Sequence, residues 1–298
     1  MVKIKYCLCI IVLLTIYYYY YSIKLVQKLE TKYTNSQHVI LASWYLTQPD
    51  AQWKEPTHVI PSKTYAYMQN FYETVKFLEL HVFIFHDSLS DSFVRMYETD
   101  RIIFLRTEGP PDHISPQDWR FFMYKRFLKK REFETIIFAD ISDTFFFHDP
   151  FYYIKNHHKQ LFITRDVGTL SNNLWMRTKF KYCYNMTKLK NLPVYNDGVW
   201  GGKSPVVYEF LDCFVKILRK KKPYENCNMM AMNICAHQTQ FQIHMEDPTS
   251  ISNPYLKQCD NSYYPIIHNK CIKLDPTGRW NDKCISVVHS EIRLEDCL

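Results

Sequence analysis

The sequence predicts an α/β fold in which a mostly parallel sheet is flanked by helices. Short, strongly apolar runs recur along the first half of the chain, and stretches of helical periodicity separate them. Strands that alternate with helices in this way favour a parallel, doubly wound sheet. A chain of 298 residues with 47% hydrophobic and 16% aromatic residues also has enough apolar surface to bury a large core.

The individual elements follow from the same pattern. Buried strands are predicted at residues 38–45, 81–85, 101–105, 136–139 and 161–164. Helices are predicted at residues 63–78, 115–130 and 204–222, where large apolar side chains recur every three or four positions. Ser115 is placed to cap the second helix, with Pro116 in its first turn. Residues 194–202 are predicted to hold a turn at Asn196-Asp197-Gly198 and a close backbone passage at Gly201-Gly202.

Two carboxylates follow the strand at residues 136–139. Asp140 and Asp143 come where that strand should end, and ligands of open α/β sheets bind beyond the carboxyl ends of the strands. Burying two carboxylates among apolar neighbours without a partner costs several kcal/mol or more. A hard divalent cation such as Mn²⁺ or Mg²⁺ is a suitable partner, because it prefers oxygen ligands. The alternative is a pair of turn or helix-capping aspartates.

The amino terminus contains a candidate membrane anchor. Residues 6–23 carry no charge over 18 positions, which is about the length of a membrane-spanning helix. This predicts a cytoplasmic tail at residues 1–5, a signal-anchor at 6–23, a stem at 24–37 and a luminal catalytic domain at 38–298. A cleaved signal peptide is the alternative, although no small-x-small cleavage site follows the apolar run.

The cysteines agree with a luminal location. Eight of the ten lie after residue 180, and an even number in a non-cytosolic compartment predicts up to four disulfides in a cysteine-rich C-terminal part. Zinc binding is the alternative, but these eight contain no C-x-x-C pair. Asn185-Met186-Thr187 is a glycosylation acceptor sequence.

The charge distribution excludes one class of partner. The formal charge of +7 is concentrated in the first 32 residues, which hold five lysines and one glutamate. The rest of the chain is then only about +3, too little to indicate a nucleic-acid-binding protein.

Five segments, taken in order, are similar to those of a known family. They are residues 40–52, 115–124, 138–151, 195–202 and 264–268, and they follow the N-terminal anchor. Together they resemble the metal-dependent GT-A glycosyltransferases of the Golgi. The resemblance implies a GT-A type, Rossmann-like sheet and a hexosyltransferase that moves a sugar from a nucleotide-sugar donor, a UDP-sugar, to a glycan or glycoprotein acceptor. It also implies Mn²⁺ or Mg²⁺ as cofactor and a single-pass type II protein of the Golgi or ER membrane.

The resemblance also assigns roles to residues. It implies metal binding by Asp140, Asp143 and a late histidine, His268 or alternatively His289. It implies that the donor nucleotide is bound by Thr47, Arg120 and Asp140, and that Asn196, Asp197, Gly201 and Gly202 line the donor-sugar and acceptor pocket. One feature departs from the family, because its acidic motif is Asp-x-Asp whereas here Asp140 and Asp143 are three positions apart.

Several roles stay open at the level of sequence. If the reaction inverts the anomeric centre, a base is needed, and Asp197, Asp166 and Asp247 are candidates; Gln238 is a further catalytic candidate. The simpler interpretations are a helix-surface ion pair for Arg120, a core histidine for His268 and a helix-surface amide for Gln238. Two alternatives to a glycosyltransferase also stay open. The protein could be a membrane-anchored carbohydrate-binding protein with an inactive transferase-like site, or a two-carboxylate glycoside hydrolase.

Overall fold

A six-stranded sheet with helices on both faces organises the part of the chain that the computed structural model describes. That part comprises residues 36–48, 64–180, 183–184, 187–220, 225–245, 252–253 and 266–268. Its strands are β1 (His38–Trp44), β2 (Val82–His86), β3 (Ile102–Arg106), β4 (Thr135–Ala139), β5 (Thr144–Phe146), β6 (Leu161–Thr169), β7 (Pro193–Lys203), β8 (Ser252–Asn253) and β9 (Ile266–His268).

The main sheet has the order β3-β2-β1-β4-β7-β6. The pairs β3–β2, β2–β1 and β1–β4 are parallel, whereas β7 runs antiparallel to both β4 and β6. The predicted α/β class with a mostly parallel sheet is therefore confirmed. A second, small sheet has the order β5-β9-β8.

Several of the helices begin at a residue whose side chain caps the first turn. They are α1 (Gln69–Phe77), α2 (Asp91–Tyr97), α3 (Pro116–Leu128), α4 (Pro150–Asn156), α5 (Leu174–Phe180), α6 (Ser204–Leu218), α7 (Asn228–Ala236) and α8 (Thr239–Gln242). Ser115 caps α3 as predicted, since its hydroxyl accepts a hydrogen bond from the Asp118 N–H at 3.2 Å. Asp149 caps α4 in the same way through the Phe151 N–H at 2.8 Å.

The core has two halves, one on each face of the sheet. On one face α1 and α4 cover alternate residues of the parallel strands, with Phe71 and Phe146 in edge-to-face contact at 5.7 Å. On the other face α3 and α6 meet over β4 and β7. There Phe121 lies 4.3 Å from Phe214, and Phe138 stacks on Trp200 at 4.1 Å between ring centroids. Because both faces of these strands are buried, β1, β2 and β4 consist mostly of apolar residues.

The strand order reverses between β1 and β4. From β1 the chain winds outward through β2 to β3, then returns to place β4 on the other side of β1. Such a switch point opens a crevice beyond the carboxyl ends of the two neighbouring strands, and ligands bind there in open α/β sheets. Leu46 and Thr47 follow β1, and Asp140 follows β4, so both segments border this crevice.

Of the two expectations for residues 194–202, the turn is wrong and the close backbone passage is confirmed. The Asn196-Asp197-Gly198 turn does not form a chain reversal, because all three residues belong to the single strand β7. Gly201 and Gly202 lie beside Ile137 and Ile136, at the end of β4 that is remote from Asp140. A Cβ on Gly201 would lie 2.2 Å from the Ile136 carbonyl oxygen, so this glycine permits close strand approach rather than lining a ligand pocket.

Two disulfides are formed in the described residues, Cys183–Cys227 and Cys213–Cys235. The prediction of disulfides is thus confirmed for these four cysteines, and zinc binding is excluded for them. The other C-terminal cysteines, Cys259, Cys271, Cys284 and Cys297, lie outside the described residues, as do Asn185, Asp247 and His289.

The predicted anchor at residues 6–23 also lies outside the described residues. Within the described ranges, none of the helices has both the length and the apolar character that crossing a membrane requires.

Candidate functional site

The candidate site is built on a bulge in β7. Ile163 of β6 faces Trp200, but the next residue, Thr164, faces Asn196, so residues 197–199 of β7 have no partner on β6. Extra residues of this kind bend a strand and redirect its side chains, and they are common beside active sites. The sequence pattern predicted a turn here because Asn-Asp-Gly is typical of tight turns as well as of β-bulges.

Local hydrogen bonds fix the bulge from three sides. The Asn196 Oδ1 accepts from the Gly198 N–H at 2.8 Å, and the Gly198 carbonyl accepts from the Asp140 N–H at 2.8 Å. The Val199 carbonyl accepts from the Thr164 hydroxyl at 2.9 Å. The bulge is therefore tied to the end of β4, and Asp197 is held beside Asp140.

A second bulge brings Asp166 to the same edge. Residues 166–168 of β6 face only Val194 of β7, between the pairs Arg165–Tyr195 and Thr169–Pro193. The Asn196 amide donates to the Asp166 carboxylate at 3.4 Å, which links the two bulges. Three of the predicted site residues, Asp166, Asn196 and Asp197, are thus brought together.

Arg120 of α3 joins the two strands through its guanidinium. Its Nη1 donates to Oδ1 of Asp140, and its Nη2 donates to Oδ2 of Asp197 at 3.0 Å. The three side chains are 10%, 15% and 10% exposed, so this is a largely buried ion triad. The interpretation of Arg120 as a partner of Asp118 or Glu132 on the helix surface is wrong.

The charges explain why the triad tolerates burial. Desolvation by itself would lower the pKa of Arg120, but the attraction of Asp140 and Asp197 outweighs it and raises the pKa above its ordinary value. Arg120 is therefore always charged. A charged side chain with two buried hydrogen-bonded carboxylates fixes the positions of both strands more firmly than packing alone.

Asp143 lies next to the triad in sequence and is nearly inaccessible, with 1% of its surface exposed. The Ser142 hydroxyl contacts its Oδ1 at 3.5 Å. Thr144, the next residue, is fully buried, and its hydroxyl makes no hydrogen bond to the described residues. The antiparallel pairing of β5 with β9 places the backbone of His268 opposite Thr144, one position from Asp143.

The donor chemistry of these residues fits a hard divalent cation. Asp140 and Asp143 provide carboxylate oxygens, and Thr144 adds a buried hydroxyl. The triad of Arg120, Asp140 and Asp197 carries a formal charge of −1, so its negative charge exceeds its positive charge, as suits a cation nearby. Among the described residues, no three or more His, Cys, Asp and Glu side chains come together as a group that could hold a metal ion.

Thr47 lies across the crevice and is held by a residue the sequence analysis did not select. Asp87, which follows β2, accepts hydrogen bonds from the N–H groups of Leu46 and Thr47 at 2.9 and 3.0 Å. Its Oδ2 also accepts from the Thr47 hydroxyl at 2.5 Å. One carboxylate therefore fixes the loop after β1, where the resemblance implies nucleotide binding.

Gln238 is not joined to the ion triad by its described contacts. Its amide donates to the Cys213 sulfur at 3.5 Å, on the disulfide between α6 and the end of α7. The simpler interpretation of this residue, a helix-associated amide, agrees with that position. Gln238 stays an untested catalytic candidate.

Two buried polar residues near the site were not selected from the sequence. Asp118 is fully buried on α3, and both of its carboxylate oxygens accept from the Cys227 N–H at 3.2 Å. Asn233 is fully buried in α7. A signal for Asn233 existed, because an amide inside the apolar run Met229–Cys235 must find partners when it is buried.

Comparisons with known proteins give only distant likenesses. No protein-family model matches the chain, and no curated protein matches it. The apo crystal structure of mouse xyloside xylosyltransferase 1 is similar with a TM-score of 0.46 and 11% identity, over 80% of this chain and 99% of that one. Glycosyltransferase GlyE of Streptococcus pneumoniae TIGR4 is similar with a TM-score of 0.41 and 11% identity, over 78% of this chain and 54% of that one.

A third solved structure, HddC of Yersinia pseudotuberculosis, is similar with a TM-score of 0.33 and 12% identity, over 57% of this chain and 79% of that one. The chain thus spans about half the length of GlyE and nearly all of the xylosyltransferase chain. At these TM-scores and identities, the likenesses by themselves assign no activity to this chain.

Proposed function

We propose that this protein is a glycosyltransferase that uses a nucleoside-diphosphate sugar, a UDP-sugar, together with a divalent cation. The observation that supports it best is the acidic group at the switch point. Two carboxylates, Asp140 and Asp197, share the buried guanidinium of Arg120 at the carboxyl end of β4, and the buried Asp143 follows three positions after Asp140. The excess negative charge suits a cation there, and the crevice between β1 and β4 suits a nucleotide.

The residues divide into groups with different tasks. Asp140 and Asp143 would hold Mn²⁺ or Mg²⁺, with His268 as a further ligand. When bound, such a cation neutralises the charge that develops on a departing diphosphate. The Thr47 loop, fixed by Asp87, would contact the nucleoside across the crevice.

Arg120 holds Asp140 and Asp197 in place, so its proposed contact with the diphosphate would be made from within the ion triad. The carboxylate of Asp197 is already paired with the positive charge of Arg120, which makes it a poor base. We therefore assign Asp197 a role in binding the hydroxyl groups of the sugar. Asp166, on the neighbouring bulge, remains the candidate base for an inverting reaction. Both acids border the space above β7 where a donor sugar and an acceptor hydroxyl would meet.

Location and acceptor are part of the same proposal. The two disulfides favour an oxidising compartment, and residues 6–23 have the composition of a signal-anchor. We therefore propose a type II protein of the Golgi or ER membrane that acts on a glycan or glycoprotein in the lumen.

Turnover of a UDP-sugar tests the proposal. The full-length protein is incubated with a panel of UDP-sugars and simple sugar acceptors, with Mn²⁺ or with EDTA, and the released UDP is measured. We expect UDP release that requires the cation and that falls by at least about 100-fold in Asp143→Asn.

Asp149→Asn is the matched control, because Asp149 is an exposed carboxylate in the same segment and asparagine also caps helices well. This variant should keep full turnover. UDP release that continues in EDTA, or that is equal in Asp143→Asn and Asp149→Asn, would contradict the proposal. Glycan binding without any turnover would instead favour a carbohydrate-binding protein with an inactive site.

A further inference from the structure

Helix α7 is attached to the rest of the fold at both of its ends. Cys227, its N-cap residue, forms a disulfide with Cys183, and Cys235, in its last turn, forms a disulfide with Cys213 of α6. Both disulfides of the described residues therefore end on this one helix of nine residues. The two disulfides restrain the position of α7, and therefore also the positions of the side chains that it directs at neighbouring elements.

The contact in question is made by Asn233. Its Oδ1 accepts from the Tyr195 N–H at 2.9 Å, and its Nδ2 donates to the Tyr195 carbonyl at 2.8 Å. Nδ2 also donates to the Met229 carbonyl one turn earlier in α7 at 2.7 Å, which fixes the direction of the amide. Asn233 is fully buried, so these bonds do not compete with water.

This amide replaces a missing strand. The pairing of β7 with β4 ends at Val199, and the residues of β7 before the bulge have no β4 partner. In an antiparallel sheet, the backbone of a neighbouring strand would accept a hydrogen bond from the Tyr195 N–H and donate one to the Tyr195 carbonyl. The side-chain amide of Asn233 makes both of these hydrogen bonds instead. Tyr195 directly precedes Asn196 and Asp197, so the side chain fixes the strand where the bulge begins.

Asp118 completes the attachment of α7 to α3. Its carboxylate accepts from the Cys227 N–H at the N-terminus of α7, and it lies two positions before Arg120 in α3. Helix α3 therefore contacts Asp197 through Arg120, while α7, which is bound to α3, contacts the preceding residues of β7 through Asn233.

We propose that Asn233 is a positioning residue for Asp197: it fixes the start of the β7 bulge, and the two disulfides keep α7 in the place from which it does so. The catalytic consequence rests on the proposed glycosyltransferase function. Loss of the amide lets the bulge relax and moves Asp197 relative to the donor sugar, while the nucleotide contacts at Thr47 and the proposed cation ligand Asp143 are unchanged.

The test separates turnover from nucleotide binding. UDP-sugar turnover and the Kd of UDP with Mn²⁺ are measured for wild type, Asn233→Ala and Asn228→Ala, well below the melting temperature of each. Asn228 is the matched control, since it is an equally buried asparagine of α7 whose Oδ1 contacts the Met229 N–H of its own helix. We expect Asn233→Ala to lose about 10- to 100-fold in turnover with the Kd for UDP within about twofold of wild type, and Asn228→Ala to keep its turnover.

Hydrogen exchange gives a readout that does not depend on activity. Backbone amides of residues 193–199 should exchange faster in Asn233→Ala than in wild type, and at the wild-type rate in Asn228→Ala. If Asn233→Ala does not fold, Asn233→Ser, whose hydroxyl can donate to the Met229 carbonyl of its own helix, should show effects in the same direction.

Equal turnover in the two alanine variants would overturn the inference, and so would unchanged exchange at residues 193–199 in Asn233→Ala. Loss of UDP affinity together with turnover would also overturn it, since Asn233 would then act on the whole pocket. A wild-type protein without turnover but with faster exchange in Asn233→Ala would refute the proposed function alone.

Discussion

Arg120 is the residue on which the geometry of the site depends most directly. One guanidinium bonds to the carboxylate of Asp140, which follows β4, and to that of Asp197 in β7, and all three side chains are at most 15% exposed. Removing the guanidinium of Arg120 leaves two buried carboxylates close together with no positive charge between them. The free-energy consequence is large, since breaking a buried ion pair by deleting one partner typically costs about 3–5 kcal/mol.

Arg120→Leu should therefore lower the free energy of unfolding by about 3–5 kcal/mol at pH 7, as measured by urea denaturation. Arg126→Leu is the control on the same helix, because Arg126 forms an exposed pair with Glu108. That pair should contribute no more than about 1 kcal/mol. Equal destabilisation by the two substitutions would contradict a buried, structural triad.

His86 provides a pH-dependent prediction. Burial, with a further contribution from the positive charge of Arg106, lowers the pKa of His86 to about 4, and its Nδ1 accepts from the Leu89 N–H at 3.3 Å. The unfolded chain has the ordinary histidine pKa of about 6.5. Between these two values the unfolded state binds a proton that the folded state does not, so stability falls as the pH decreases from about 6.5 to 4.

His86→Asn should remove this component, because an asparagine oxygen can accept the same hydrogen bond but does not titrate. The difference in unfolding free energy between wild type and variant should change by about 3 kcal/mol between pH 7 and pH 4, with wild type losing more. Urea denaturation at several pH values measures it. A difference that is independent of pH would show that His86 is not buried as a neutral imidazole.

At the scale of elements, β7 shows how one strand serves both packing and the site. Its last residues lie between β4 and β6, where Gly201 and Gly202 allow close backbone approach, and its middle bulges toward Arg120. Substitutions in the two halves of the strand should therefore have different effects. Changes at Gly201 should affect folding, whereas changes at Asp197 should affect the site.

Gly201→Ala should prevent normal folding or lower stability by about 3 kcal/mol or more, because its Cβ would lie 2.2 Å from backbone oxygen in a rigid sheet. Soluble yield and urea denaturation measure this. At Gly109 a Cβ would instead meet the Thr47 hydroxyl at 2.8 Å, a side-chain atom, so Gly109→Ala should be less destabilising. A Gly201→Ala protein that is as stable as wild type but inactive would contradict this account and would support the expectation that Gly201 lines the substrate pocket.

Helix α7 depends on its disulfides at the same scale. The Cys213–Cys235 disulfide closes a loop with a sequence separation of 22. Replacing both cysteines by alanine should lower the free energy of unfolding by about 3 kcal/mol, mainly because the unfolded chain regains freedom. Chemical denaturation measures the loss, and a change below about 1 kcal/mol would show that α7 is held by other contacts.

For the molecule as a whole, sequence periodicity predicted the parallel half of the sheet well. Strands β1, β2, β3 and β4 each contain a short apolar run whose side chains are buried, and a run of that kind is visible in the sequence before the neighbouring strands are known. The same reasoning failed for β7. Its sequence combines apolar residues with Asn-Asp-Gly-x-x-Gly-Gly, and only the pairing with β4 and β6 decides that these residues form one bulged strand.

The site was predictable in its acids but not in its connections. Asp140, Asp143 and Asp166 could be selected because they follow predicted strands, whereas the roles of Asn196 and Asp197 came from the resemblance to the GT-A family. The link from Arg120 to Asp197 spans 77 positions, and that from Asn233 to Tyr195 spans 38. Contacts of that range depend on how helices cross the sheet, which local patterns do not encode.

The most direct measurement is the thermal stability of the full-length protein with UDP, in Mn²⁺ and in EDTA. If Asp140 and Asp143 hold a cation that binds a diphosphate, UDP at 100 times its Kd should add about 2.7 kcal/mol of stability in Mn²⁺, a rise of about 5 °C or more in Tm. The same UDP should add little in EDTA or in Asp143→Asn. An equal rise in Tm with UDP in all three conditions would contradict a cation site at these carboxylates.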